Sequence, residues 1–269
     1  MTGIDAAGLR AGLAGRYAAV DVVASTGSTN ADLREAATSG AADRTVLIAE
    51  EQTAGVGRRA RSWSSPKGAG LYLSVLLRPR EVAFSALGSL SVVAGLAVRD
   101  VAARVGVDAV LKWPNDVLAG PARAKCAGIL AEAIAAGDVS VVVGIGLNVL
   151  PLGQDVPAGP GGLPATSLAE QGATVTDRTE VAALLLAAFD DRERRWRLAG
   201  GDLTAAGLLD EYRRHCATLG QDVRVELPDG KSLVGRAADV DAAGQLTVDV
   251  AGGGRQTVFA GDVVHVRPA

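Results

Sequence analysis

Two hydrophobic rhythms run along the chain, and the change from one to the other divides it. Near the start Leu9, Leu13 and Tyr17 recur at four-residue spacing, one face of a helix. Val20 to Val23 reads as a strand. Ser28-Thr29-Asn30 then offers side-chain oxygens that can cap free helical N–H groups, and Asp32 to Ala37 continues as a helix. Val46 to Glu50 is a second strand. Leu71 to Leu77 alternates as a half-buried strand does and runs into Arg78-Pro79, where proline's missing N–H stops the pairing. From Ser85 to Arg104 the positions Leu87, Leu90, Val93, Ala94, Leu96, Ala97 and Val101 predict a core helix. Val110 to Lys112, Gly128 to Ile134 and Ser140 to Leu150 are further strands, the last apolar enough to be buried on both faces. A Pro/Gly-rich loop covers Pro151 to Pro164. Two helices follow, Glu180 to Arg197, with the charged run Asp190 to Arg195, and Leu203 to Leu219.

From Gln221 the rhythm becomes strict alternation. Val223, Val225 and Leu227 alternate with polar residues, Pro228-Asp229-Gly230 turns, and Leu246, Val248, Val250, Val264 and Val266 repeat the pattern. The chain therefore reads as α+β in two parts: a mixed sheet with helices over 1–219 and a small all-β barrel over 220–269. At about 50 residues the second part needs support from the first.

Composition narrows the chemistry. The formal net charge of −3 excludes a basic face of the kind generic nucleic-acid binding needs, so any anion site is local. Two cysteines, Cys126 and Cys216, are too few for a disulfide framework and lack zinc-site spacing, which fits a reducing cytoplasm. Met1 to Arg16 has no signal-peptide pattern, and no apolar run reaches membrane-spanning length. The two histidines, His215 and His265, fall late in the chain and outside every motif below, so a Ser/His/Asp triad is excluded; both are assigned to the surface or the barrel.

Four constellations can carry chemistry. Gln52 precedes the loop Gly55-Val56-Gly57-Arg58-Arg59-Ala60-Arg61-Ser62-Trp63, which leads into Ser64-Ser65-Pro66. Glycines let backbone N–H groups approach phosphate and guanidinium forks meet its oxygens in pairs, although such a run also describes a solvated turn. Lys112-Trp113-Pro114-Asn115-Asp116 ends a strand and gathers an ammonium, an amide and a carboxylate, or is a strand-ending turn. Lys125-Cys126-Ala127-Gly128-Ile129 sets a lysine at the mouth of an apolar strand, as a catalytic cation or an edge guard. Gly144-Ile145-Gly146-Leu147-Asn148 puts glycines inside a buried strand, where they mark a bulge or a close approach by ligand or backbone.

In this order, Ser-Thr-Asn, Gln-x-x-Gly-x-Gly-Arg, Lys-Trp-Pro-Asn-Asp, Lys-x-x-Gly-Ile-Leu and Gly-x-Gly-x-Asn resemble the biotin protein ligases over Ser28 to Asn148. The resemblance implies a class II synthetase-like biotin/lipoate-ligase catalytic domain followed by an SH3-like β-barrel. It also implies two steps: biotin and ATP give biotinyl-5′-AMP and pyrophosphate, and a lysine of a biotin carboxyl carrier domain takes the biotinyl group. By resemblance the biotin site comprises Ser28, Thr29, Asn30, Gln52, Val56, Gly57, Arg58, Lys125, Gly128, Gly144 and Gly146, the glycines leaving room for the ligand. The ATP site comprises Gly55, Arg58, Arg61, Trp63, Lys112, Asn115, Lys125 and Asn148, with Mg²⁺ held mainly by the phosphates. Lys125 and Arg58 are the catalytic cations, and Asp116 orients or deprotonates the acceptor lysine, or serves only the turn.

Two departures stand out. The family loop reads Gly-Arg-Gly-Arg-x-Gly-Arg, whereas Val56 replaces the first arginine and Ala60 the last glycine. Loss of a charge-assisted bond removes roughly 1.5–3 kcal/mol, predicting faster release of the adenylate unless Arg59 substitutes. Only 27 residues precede Ser28, too few for a three-helix DNA-binding domain, so no operator binding is expected. Lipoate or octanoate transfer and a non-catalytic scaffold built on the barrel are the competing readings; the partner carboxylase and the oligomeric state stay open.

Overall fold

The computed structural model describes residues 3–63, 67–134, 139–153, 156, 158–159, 162–227, 230–250, 252–259 and 262–265. Ser64-Ser65-Pro66, the first two residues of the Pro228-Asp229-Gly230 turn, Val266 and part of the Pro151 to Pro164 loop lie outside the described residues.

Helix α1 (Ala6–Gly12) starts where the Asp5 carboxylate accepts from the amides of Ala7 and Gly8. Strand β1 (Ala19–Val23), helix α2 (Thr29–Thr38) and strands β2 (Thr45–Ala49) and β3 (Gly70–Leu77) follow. A 3-10 turn, Phe84–Ser89, leads into α3 (Leu90–Arg104), then β4 (Ala109–Lys112), β5 (Asp116–Ala119), β6 (Ala124–Ile134) and β7 (Ser140–Asn148). The seven strands form one sheet in the order β1-β2-β3-β7-β6-β5-β4. Only β1 and β2 run parallel, so the sheet is mixed.

The centre of this sheet is covered on both sides, which corrects the half-buried reading of Leu71 to Leu77: every residue of β3 is buried. Leu71, Leu73, Val75 and Leu77 join the main core with α3 and with α4 (Arg178–Leu198), while Leu76 packs with Leu33 and Ala37 of α2 on the opposite face. Phe84–Arg104 is long and apolar enough to cross a membrane, contrary to the sequence reading; it is largely buried and supplies core positions from Leu90 to Ala102.

The predicted helix from Leu203 to Leu219 shrinks to α5 (Leu209–His215). Gly207 sits at φ +67°, and Cys216 leaves the helix to bridge Leu111 of β4. The last part is a five-stranded antiparallel sheet, β8 (Asp222–Glu226), β9 (Ser232–Val240), β10 (Leu246–Val250), β11 (Arg255–Val258) and β12 (Asp262–His265), in the order β11-β10-β9-β8-β12. It is bolted to the larger part by Arg213, which forks onto Asp239 at 2.7 Å through both nitrogens, and by Trp113, whose Nε1 donates to the carbonyl of Gly244 at 2.9 Å.

Candidate active site

Three local devices converge on one cavity, on the sheet face opposite α3 and α4. The first is the start of α2. Ser28 caps it, its hydroxyl accepting from the Ala31 amide at 3.4 Å, and this holds Thr29 and Asn30 in the first turn over the sheet. The second is the alternation of β7, which turns Gly144, Gly146 and Asn148 to the same face. The third is a bulge. The register of β5 on β6 slips between Val117 and Leu118, so Cys126 and Ala127 are both buried and Lys125 and Gly128, three apart, both line the cavity. In a regular strand residues three apart face opposite sides of the sheet.

The Gly/Arg loop folds back on itself. Trp63 donates its amide to the Gly55 carbonyl at 2.9 Å, Gly57 donates to Arg61 at 2.6 Å, and Val56 bridges Ser62. Gly55 serves this closure: a Cβ there would sit 2.8 Å from the Trp63 carbonyl, and Gly55 is absent from the residues lining the cavity. Arg59 and Ala60 both take left-handed φ values, 55° and 56°. For L-residues that conformation costs about 1–2 kcal/mol, and a glycine at position 60 escapes it.

The loop delivers Trp63 to the sheet. A Cβ on Gly128 would come within 2.9 Å of its indole and one on Gly146 within 2.6 Å, while a Cβ on Gly144 would lie 2.2 Å from the Asn30 amide oxygen. These glycines make room for protein side chains, Trp63 and Asn30, and all three line the cavity. Beside the indole stands Lys125, its Nζ 5.3 Å from the ring centroid and 2.6 Å from Asp116 Oδ1. Lys112 Nζ lies 3.7 Å from Asp116 Oδ2 and donates to the Val263 carbonyl of β12 at 2.8 Å. Arg58 and Arg61 also line the cavity. Arg59 is absent from the lining and reaches toward Glu226 of β8 at 3.5 Å; Val56 itself is about half exposed.

The other end is neutral. Thr29 donates its amide to Gln52 Oε1 at 2.9 Å, and Asn30 donates through Nδ2 to Glu132 Oε2 at 2.8 Å and to the Leu130 carbonyl at 3.3 Å. The Asn30 oxygen accepts from Ser74 Oγ at 2.6 Å, so the amide is engaged by protein on both sides, and it braces the pocket. Asn115 is likewise tied to Ile129, through its side chain at 2.8 Å and its carbonyl at 2.9 Å. Asp116 is flanked by two ammoniums and holds Lys125 in place.

Among the described residues, two buried polar atoms in the cavity wall have no hydrogen-bond partner, the Trp63 indole N–H and the Asn148 amide oxygen. A buried polar group without a partner is costly, and the resemblance implies both residues for the ATP site. His215 lies outside the lining, at the end of α5; burial and nearby Arg99 lower its pKa. His265 falls in β12. Both cysteines are buried and unpaired, and burial pushes the Cys126 thiol up to about 12. Residues the sequence did not single out also line the cavity, among them Tyr72, Leu130, Ala165 and Val263. Alternation along β3 could have pointed to Tyr72; nothing near Val263 in sequence announces its place.

The chain matches the Biotin/lipoate A/B protein ligase family over residues 22–149 and the biotin protein ligase C-terminal domain over residues 218–266. It is 47% identical over 253 residues to the biotin–[acetyl-CoA-carboxylase] ligase of Mycobacterium tuberculosis, covering 92% of this chain and 89% of that protein. It is 32% identical to the bifunctional ligase/repressor BirA of Bacillus spizizenii, over 90% of this chain and 72% of that one. Among solved structures, the biotin protein ligase of Aquifex aeolicus in complex with biotin and ATP superposes with a TM-score of 0.75 at 26% identity, covering 94% of this chain and all of that one. With the Lys125 bulge, the Trp63 loop and the C-terminal sheet in place, the chain belongs to the biotin protein ligase family.

Proposed function

We propose that the chain joins biotin to ATP, giving biotinyl-5′-AMP and pyrophosphate, and then passes the biotinyl group to a lysine of a biotin carboxyl carrier domain. One observation carries this reading. A single cavity has a neutral hydrogen-bonding end at Thr29 and Gln52 and a wall that contains Arg58, Arg61, Lys112 and Lys125, with Asp116 the one carboxylate among the described lining residues. A uncharged ureido ring suits the first end and a carboxylate meeting a triphosphate suits the second.

In the first step a biotin carboxylate oxygen bonds to the α-phosphorus while the bond from that phosphorus to the α–β bridging oxygen breaks. The reacting groups are both anions; at about 4 Å two like charges repel by roughly 4 kcal/mol near a protein surface. Lys125, fixed between Asp116 and the Trp63 ring, and the guanidiniums of Arg58 and Arg61 offset that repulsion and stabilise charge on the non-bridging oxygens. Trp63 and Asn148 suit the adenosine portion through their unpaired N–H and C=O groups. Magnesium bound to the nucleotide phosphates would screen their charge. In the second step a neutral carrier amine attacks the anhydride carbonyl, a C–N bond forms as the carbonyl carbon's bond to the phosphate oxygen breaks, AMP leaves with that oxygen, and the nitrogen gives up one proton to solvent.

The division into a catalytic part over 1–219 and a C-terminal module over 220–269 belongs to this reading, supported by two separate sheets among the described residues and by the match of the C-terminal domain model to residues 218–266. A cytoplasmic setting, where ATP and carboxylases meet, suits it as well. ATP–pyrophosphate exchange tests the activity: exchange dependent on biotin and not on lipoate is expected, and no exchange with biotin overturns the assignment.

A further inference from the structure

The neutral end of the cavity contains more short oxygen–oxygen contacts than it has hydroxyl protons. Asn30 donates both amide hydrogens, to Glu132 and to Leu130, and this turns its oxygen toward Ser74. Ser74 is fully buried and must therefore give its one proton to that oxygen, 2.6 Å away. Thr29 Oγ1 lies 2.7 Å from Ser74 Oγ. With the serine proton already committed, the threonine must be the donor in this contact. Thr29 Oγ1 also lies 3.1 Å from Gln52 Oε1, and no proton is left for that pair. Gln52 cannot relieve it by turning its NH₂ inward, because the Thr29 backbone amide donates to the same oxygen at 2.9 Å.

Two acceptor oxygens thus converge in the cavity wall with no hydrogen between them. Such a pair is completed by an N–H group of a ligand. We infer that Ser74, which does not itself line the cavity, is a positioning residue that sets the polarity of the pocket: it takes the Thr29 proton and so makes Thr29 and Gln52 a receptor for a ring N–H. This rests on the proposed biotin activation and deepens it. The ureido ring of biotin has N–H groups to offer, whereas the dithiolane of lipoate has none, so the relay from Glu132 through Asn30 and Ser74 selects the first.

The test is a double-mutant cycle on the full chain, with biotin affinity read by calorimetry. Ser74→Ala weakens biotin binding roughly tenfold, the worth of a hydrogen bond of about 1.4 kcal/mol. In a Thr29→Val background, where the hydroxyl to be oriented is gone, the same Ser74→Ala change costs about twofold or less, the non-additivity of groups that act as a unit. Ser74→Cys keeps the volume with a weaker donor and gives an intermediate loss; the same comparison is read on it should Ser74→Ala fail to fold. Equal losses in both backgrounds, or no loss from either Ser74 variant, overturn the proposal while biotin activation stands. Wild-type protein that binds no biotin overturns both.

Discussion

Two groups of charged side chains occupy this molecule, built from the same residue types and put to different ends. Between α4 and the start of β2, Arg44 bonds Asp190 and Glu193, Arg16 and Arg194 also hold Asp190 at 2.8 and 3.0 Å, and Arg197 bridges Glu193 at 2.6 Å to Asp43 at 2.7 Å. Asp190 and Glu193 are each only 1% exposed. Every buried carboxylate there meets two or more guanidiniums, so the charges cancel and the cluster ties elements together. Among the described residues that line the cavity the proportions are reversed: Arg58, Arg61, Lys112 and Lys125 share it with one carboxylate, Asp116. The local ratio of charges, more than their number, separates a fastening from an anion receptor in a chain whose net charge is −3.

The sharpest way to break this comparison is to remove one partner from each group. Asp190→Ala removes the buried carboxylate shared by Arg16, Arg44 and Arg194, leaving Arg44 with Glu193 as its carboxylate partner, and is expected to cost about 3–5 kcal/mol of stability, read by urea denaturation, with the exchange activity of the folded protein unchanged. Lys125→Ala has the opposite profile. Adenylation should fall by roughly 10²–10³, the loss seen when a donor to developing negative charge is removed, while the unfolding midpoint barely moves. A Lys125 variant that loses stability and keeps activity would place both groups in the same class.

The smallest effect concerns Cys126, next in sequence to the catalytic cation. A thiol beside an ammonium is activated when solvent reaches both. Here burial raises the Cys126 pKa to about 12 against the pull of Lys125. At pH 8 the thiol therefore stays protonated, and iodoacetamide should label it only after denaturation. Rapid labelling of the native protein would show that the excess positive charge is felt on both faces of β6.

The order of motifs from Ser28 to Asn148 was legible because each rests on a local need: a cap at Ser28, proline ending β4, glycines where something approaches β7. What approaches was not legible. The indole that fills the space over Gly128 and Gly146 arrives from Trp63, far off in sequence, and only packing identifies it. The bulge in β6 left a trace, since Lys125 and Gly128 share a face at odd spacing, but strict alternation hides it. Strands β5, β9 and β11 escaped notice because each carries polar residues where a half-buried strand shows apolar ones: Asp116 opens β5, Gly235 and Arg236 interrupt β9, and Arg255-Gln256-Thr257 fill most of β11. The second predicted C-terminal helix failed at Gly207, whose positive φ is incompatible with a continuous helix.

The bond from Lys112 to the Val263 carbonyl joins residues 151 positions apart. During synthesis the ribosome releases the whole seven-stranded sheet before it releases that carbonyl. A nascent chain therefore carries Lys112 for a time without this acceptor and with one wall of the reaction chamber still untranslated. The cavity therefore gains this wall only once β12 has been made and has paired with β8.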